Sequence, residues 1–281
     1  MSLLCDLHAH SIYSDGTCTP AELISLAKQA GLYAVALTDH NTVSGIPYFL
    51  EAAKDSGVQA LPGIEVSTDY MGQELHIVGL FYSLAHLAGV EEYVAAYLQR
   101  KEQSNVDLCN NLCRAGYEIS YEKIKSATPD GTVNRALIAA ELMRLGYVES
   151  IKAAFATLLS KKGGYYHEPQ KLDALQVIAK LPEFCAVPIL AHPFLSLDEQ
   201  ALREFLPKAR QAGLVGMETE YSTFTPEQTA SARELAAQNG LLPSGGSDFH
   251  GTNKPDIRLG VGRGSLAVPY AYYTALMNGR I

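Results

Sequence analysis

The chain of 281 residues carries 22 Lys and Arg against 30 Asp and Glu, a formal net charge of −8, with 47% apolar and 19% charged residues. That length admits one large barrel or two modest domains, and the apolar content excludes a disordered or collagen-like chain. The acidic balance argues against a nucleic-acid sleeve, which needs clustered Lys and Arg to displace counterions, so no duplex nucleic acid is expected as a partner.

The first strand-like run, residues 3–8, leads into a helix whose start is written in Thr19-Pro20-Ala21-Glu22: an N-cap Thr, Pro at the first helical position and Glu at the third, with Gly31 as a stop. Runs at 34–38, 59–67 and 75–81 follow. Only the few residues around Asp69 to Gly72 join the last two, too few for a parallel crossover, so either that pair is antiparallel or the sheet is distorted there. From about Gly89 to Gly164 strand signals vanish, and the segment reads as helices at 90–115, 119–126, 134–145 and 150–160, with a turn by composition at Thr128-Pro129-Asp130-Gly131. Strand-like runs return at 187–191, 214–220 and 241–244, separated by helices with capping boxes at Ser196-Leu197-Asp198-Glu199 and Thr225-Pro226-Glu227-Gln228. Seven runs alternating with capped helices are the pattern of βα units around a mainly parallel sheet, an α/β barrel built from residues 1–88 and 165–281. Residues 89–164 are expected to form a helical insertion capping one mouth of it.

Six of the eight histidines fall in or just after these runs, beside carboxylates at equivalent places. His8 and His10 leave the first run two residues apart, on one face, and Asp15 follows in the loop. His40 closes the second run, Glu65 lies in the third, His76 in the fourth, His192 ends the fifth, and Asp248 and His250 follow the seventh. In a closed parallel barrel these strand ends meet on one face, where barrel active sites sit. Each motif alone is weak, since a single His on an apolar strand is usually a hydrogen-bonded core residue. Together the six imidazoles and three carboxylates would form a buried cluster that only cations compensate well. Mixed imidazole and carboxylate donors suit Zn, Mn or Fe, and nine of them, with Glu65 bridging, would serve two or three divalent ions. His86 and His167 have no carboxylate at strand-end geometry and read as surface or interface residues. Asp39 sits one residue off the ligand face and reads either as a carboxylate orienting an imidazole or as a loop cap.

The five cysteines form no C-x-x-C pair and read as buried or free thiols. No apolar run approaches the ~20 residues of a membrane span, and the N-terminus lacks the basic start and apolar stretch of a signal peptide, so no membrane partner and a cytoplasmic location are expected. The glycines at 245 and 246 lack phosphate-loop spacing and read as a turn presenting Asp248.

The motifs DLHAHSIYSDG, ALTDHNT, LPGIEVS, HIVGL, AHP and GSDFHG closely resemble the polymerase and histidinol phosphatase (PHP) family of metal-dependent phosphoesterases, from Leu4 to about Phe81 and from Pro188 to Gly251. The resemblance implies a distorted (β/α)7 barrel with a two- or three-metal centre at the C-terminal strand ends. Carried over by residue, it makes His8, His10, Glu65 and Asp248 ligands of one ion; Glu65, His76 and His192 of a second; and Asp15, His40 and His250 of a third. The middle of the chain is similar to a nucleotide-directed branch of the family, through Asn134-Arg135-Ala136-Leu137-Ile138-Ala139 and then Phe155, Leu158, Gly163, Gly164 and Tyr165, with a departure at Leu137 where those relatives often carry His. That branch includes 3′,5′-nucleoside bisphosphate phosphatases and 5′→3′ exoribonucleases acting on short oligonucleotides. The expected reaction is therefore hydrolysis of a nucleotide phosphomonoester, of AMP or 3′,5′-bisphosphate type, by a hydroxide bridging two ions. Asp248 is expected to accept the proton of the attacking water, His192 or a metal-bound water to protonate the leaving oxygen, and Arg135, with Lys162 or Lys161, to bind phosphate. Exoribonuclease, histidinol phosphate phosphatase and a metal-binding module without catalysis are the competing readings.

Overall fold

A computed structural model of the chain describes residues 3–128 and 133–279. The turn read at Pro129-Asp130-Gly131 lies outside these residues. The chain divides into two compact units, Met1–Val94 with Lys171–Ile281, and Ala95–Gln170.

The first unit contains β1 (Leu4–Asp6), α1 (Pro20–Gln29), β2 (Ala34–Leu37), α2 (Ile46–Ala53), β3 (Gln59–Tyr70) and β4 (Gln73–Phe81). The second unit holds most of α3 (Leu87–Arg114), then α4 (Tyr121–Ala127), α5 (Arg135–Arg144) and α6 (Ile151–Ala156). The first unit resumes with β5 (Leu172–Asp173), α7 (Ala174–Lys180), β6 (Ala186–Leu190), α8 (Glu199–Gln211), β7 (Gly216–Tyr221), α9 (Pro226–Gln238), β8 (Leu242–Gly246), β9 (Val268–Pro269) and α10 (Tyr270–Asn278). The strands follow the order β8-β7-β6-β4-β3-β2-β1-β9, with β5 beside β3. β8 and its continuation also meet the stretch that follows β1, where Leu7 N donates to Gly245 O at 3.1 Å and Asp248 N to His8 O at 2.9 Å, so the sheet closes into the distorted barrel expected from the sequence.

The short β3–β4 connection resolves as a hairpin: β3 and β4 pair antiparallel, Ser67 opposite His76, and β4 is antiparallel to β6 as well. β4 thus runs against its neighbours, and its N-terminal half lies level with their C-terminal ends. This is how His76, early in its strand, joins side chains that come late in theirs.

Caps follow the sequence at α1 and α9, where Thr19 and Thr225 form reciprocal capping boxes with Glu22 and Gln228. At α8 the expected box is corrected. Asp198, not Ser196, is the N-cap, accepting from Ala201 N, because the Pro193–Leu195 3-10 turn takes up Ser196 as its own end. Helix faces bury Leu23, Ile24 and Ala27 of α1, and Leu202, Phe205 and Leu206 of α8, against the outside of the barrel, each large side chain contributing about 1.5–3 kcal/mol. Inside, Cys5, Leu7, Leu61, Val78, Leu80 and Ile189 form a separate apolar cluster. Leu61 shares a face of β3 with Glu65, as Val78 and Leu80 share one of β4 with His76, so this cluster continues the face that carries the polar side chains.

The helical unit has its own core of Leu108, Leu112, Ile119, Ile138, Leu142 and Leu159. Ser120, Asn134 and Ser150 cap its shorter helices. It runs Ala95–Gln170 rather than 89–164, because Val90 and Val94 of α3 pack into the core of the first unit. Among the described residues no helix is long and apolar enough to cross a membrane.

Candidate metal centre

All nine side chains singled out from the sequence belong to the first unit and come together at one end of its barrel. His8 and His10 continue β1, His40 bridges to Glu65 in the middle of the long β3, and His192, Asp248 and His250 follow β6 and β8. Three residues here, Asn41, His192 and Asp248, have positive φ, of 55°, 27° and 55°, strain of the kind that collects at functional sites. Asn41 holds its turn by exchanging bonds with Ser67: its Nδ2 donates to Ser67 Oγ and its Oδ1 accepts from Ser67 N, both at 3.0 Å.

Glu65 is at the middle of the cluster and fully buried. Its Oε1 lies 2.9 Å from both His76 Nδ1 and His192 Nε2. Its Oε2 lies 3.1 Å from His8 Nε2, 3.2 Å from His10 Nε2 and 3.1 Å from His40 Nδ1. Asp248 Oδ1 faces His10 Nε2 at 3.2 Å and His250 Nδ1 at 3.3 Å, and Asp15 Oδ1 lies 3.2 Å from His250 Nε2. Ligand atoms within 4.8 Å of one another define three groups: His8, His10, Glu65 and Asp248; His40, Glu65 and His76; and His10, Asp15, His40 and His250. His192 falls outside this grouping but shares Glu65 Oε1 with His76.

Burial works against charge throughout. For Glu65 the facing His8, His40 and His76 outweigh it and hold the carboxyl well below its usual range. Burial is likewise overcome at His10, which the Asp248 and Glu65 carboxylates, each 3.2 Å from its Nε2, lift to about 9, and at His76, which Glu65 lifts to about 9. His40 goes the other way: burial, reinforced by His10 and His76, pushes it down to about 3. Glu65 Oε2, His40 Nδ1 and His192 Nδ1 are buried without hydrogen-bond partners. Unpaired donor atoms of imidazole and carboxylate type, converging in three groups, fit divalent cations, which replace protons on such sites.

Asp39 contacts no imidazole directly. It accepts from Ser11 N, Ser11 Oγ and Ser14 Oγ, each at 2.7 Å, and so pins the loop that carries Asp15. His86 and His167 are exposed. Arg135 opens α5 in the helical unit, its guanidinium 4.3 Å from the Tyr166 ring and 5.5 Å from the Phe155 ring. Lys161 and Lys162 lie in the 3-10 turn Lys161–Gly163, where Lys161 pairs with Glu168.

Four contributors were not expected. Glu74 faces His76 Nε2 at 3.3 Å and is itself held by Lys171 at 2.8 Å. Tyr221 and Lys254 both donate to Asp248 Oδ2, each at 2.6 Å. Glu218 lies 2.8 Å from His8 Nδ1. Glu74, two residues before His76 on a strand, could have been found from period-2 spacing; the others depend on tertiary placement.

A family model described as the PHP domain matches residues 6–176. A 5′-3′ exoribonuclease of Haemophilus influenzae is 32% identical over 250 residues, covering 87% of this chain and 89% of that protein. A phosphoribosyl 1,2-cyclic phosphate 1,2-diphosphodiesterase of Eggerthella lenta is 34% identical over 260 residues, covering 88% and 94%. A solved structure from Bifidobacterium adolescentis, described as a metal-dependent phosphoesterase, matches with a TM-score of 0.82 at 26% identity, over 100% of this chain and 98% of that one. With more than half its length matched by the family model and most of it by these relatives, the chain belongs to the PHP domain family and is a metal-dependent phosphoester hydrolase.

Proposed function

We propose that the protein removes a phosphate from a small nucleotide, AMP or a 3′,5′-nucleoside bisphosphate. The observation that carries this reading is Glu65, one buried carboxylate shared between two imidazoles at one oxygen and three at the other. Such sharing suits a polynuclear centre able to clamp a phosphoryl group from two sides. That the relatives are named for RNA and for a phosphoribosyl ester supports a phosphate carried on ribose.

Two or three divalent ions, of Mn, Zn or Fe, would be held by His8, His10, Glu65 and Asp248; by Glu65, His76 and His192; and by Asp15, His40 and His250. When bound, they neutralise phosphoryl charge and make an attacking hydroxide accessible near neutral pH. The chain's own residues order the rest. Tyr221 and Lys254 occupy Asp248 Oδ2, which leaves Oδ1 as the oxygen that binds an ion or takes a proton. His192, whose Nε2 is held on Glu65, keeps its proposed role as donor to the leaving oxygen. Arg135 holds its guanidinium over the Tyr166 ring at 4.3 Å, and the planar fork of a guanidinium matches phosphate bidentately. Lys162 is the second phosphate-binding cation of the proposal.

The test is product release from AMP, a 3′,5′-bisphosphate, a phosphoribosyl 1,2-cyclic phosphate, histidinol phosphate and a short 5′-phosphorylated RNA, after loading with Mn or Zn. Highest kcat/KM on AMP or the bisphosphate supports the proposal. Faster turnover of the RNA into mononucleotides would favour the second reading, exoribonuclease, which the Haemophilus relative supports. Preference for either other substrate overturns both.

A further inference from the structure

We infer that Glu218, on a strand from which no ligand was expected, is a positioning residue of the metal centre: it fixes which nitrogen His8 offers to an ion and holds the backbone that presents His192. The inference goes beyond the substrate reading, since it holds whichever phosphoester is cleaved.

Both oxygens of this carboxylate are committed, and its side chain is 1% exposed. Oε1 lies 2.8 Å from His8 Nδ1, and Oε2 accepts the His192 N–H at 2.6 Å. An ionised carboxylate only accepts, so His8 must carry hydrogen on Nδ1. A neutral His8 then keeps its lone pair on Nε2, the atom that faces Glu65 Oε2 at 3.1 Å and His10 Nε2 at 3.1 Å. The second contact falls on a strained residue: His192 stands at φ 27° and ψ 56°, and its N–H bond to Glu218 ties that turn to β7. One side chain therefore holds two residues that the family resemblance assigns to different ions.

The strand is shaped for this. Glu218 and Tyr221 are three apart and would face opposite sides of a regular strand. The pairing of β7 with β8 shifts between Glu218 and Glu220, so Glu218 lies opposite Ser244 and Tyr221 opposite Gly246. Ser244 and Gly246 share one face of β8, and the bulge thus puts Glu218 and Tyr221 on the same side. Tyr221 uses it to reach Asp248, while Glu220, on the other face, accepts from Arg233 Nε at 2.6 Å. A bulge that re-aims a side chain beside a functional site is a recurrent device.

The test has two arms. Glu218→Gln keeps the shape but offers one acceptor and one amide donor group, so it cannot accept from both partners. Chelator competition on this variant should show metal affinity lowered roughly 10–100-fold, while Glu220→Gln, on the opposite face, keeps the parent value. In the second arm, long-range 1H–15N NMR of zinc-loaded, histidine-labelled parent protein should show His8 protonated at Nδ1 and coordinated through Nε2. Parent affinity in a folded Glu218→Gln, or a proton on His8 Nε2, would overturn the inference. If that variant does not fold, the tautomer in the parent decides alone.

Discussion

Five imidazole nitrogens within 3.2 Å of one carboxylate are an unstable arrangement on charge alone. Two like charges about 4 Å apart at an effective dielectric constant of 20 repel by about 4 kcal/mol, so protonating all five together would cost far more than one Glu65 charge returns. Divalent ions shared through Glu65, as proposed, would resolve this with lone pairs instead of protons. Glu65→Gln should therefore cost more metal affinity than the roughly 10–100-fold typical of residues behind the ligands, and should lower the bound metal per chain by more than one equivalent. Metal analysis after dialysis against buffered metal checks this, and a fully loaded Glu65→Gln would exclude Glu65 as a bridge. The nine candidate donors were legible because each combines ligand chemistry with a place in or just after a strand-like run, and both are local properties. Asp39 was half legible: it does support the site, but through the serines of a loop rather than through an imidazole. Glu218 and Lys254 were not, because an acid within GMETEY and a lysine in a polar loop look like solvated surface until the fold buries one and pairs the other.

The parallel strands were readable as apolar runs between capped helices, and all seven long strands overlap the predicted runs. What escaped was information that period and composition do not carry. The direction of β4 is invisible in an apolar run, which reads alike from either end; only the short connection to β3 hinted at it. The two-residue strands β5 and β9 are too short to show a period, and the bulge in β7 is a property of its pairing with β8. The glycines before Asp248 were read as a turn, but Gly246 belongs to β8 and has a different reason to be glycine. A Cβ there would lie 2.4 Å from His8 Cβ and 2.6 Å from His8 N, so β8 approaches His8 more closely than any side chain permits. Gly246→Ala should force these strands apart, at about 1–3 kcal/mol of stability as for other overpacked sites. Calorimetry should show a melting temperature lower by several degrees, and chelator titration should show weakened metal binding in the same variant. An unchanged melting temperature would mean that the strand end yields and that the close approach does not fix His8.

Each of the two units buries a core of its own, but among the described residues only the first contains the ligand groups. Metal bound to the native state adds stability by mass action, about 2.7 kcal/mol per site at a hundred times the dissociation constant, and this term should act on the barrel alone. Two buried thiols report on the two cores separately. Cys5 lies in β1 of the barrel, where burial and the neighbouring Asp6 push its thiol above the ordinary range. Cys109 lies in the helical core, where burial pushes it up to about 12. A raised thiol pKa means less thiolate at any working pH. At pH 8 a thiol at about 12 is ionised to roughly one part in ten thousand, against about a quarter for an ordinary cysteine, so neither reacts until its core opens. Cys113, exposed at the end of α3, should react at once. Thiol labelling across a urea series, resolved by mass spectrometry, should therefore show Cys5 becoming reactive at lower urea after EDTA treatment, with the midpoint for Cys109 unmoved. Equal shifts at both cysteines would show instead that the two cores open as one cooperative unit and that metal binding stabilises the helical unit as well.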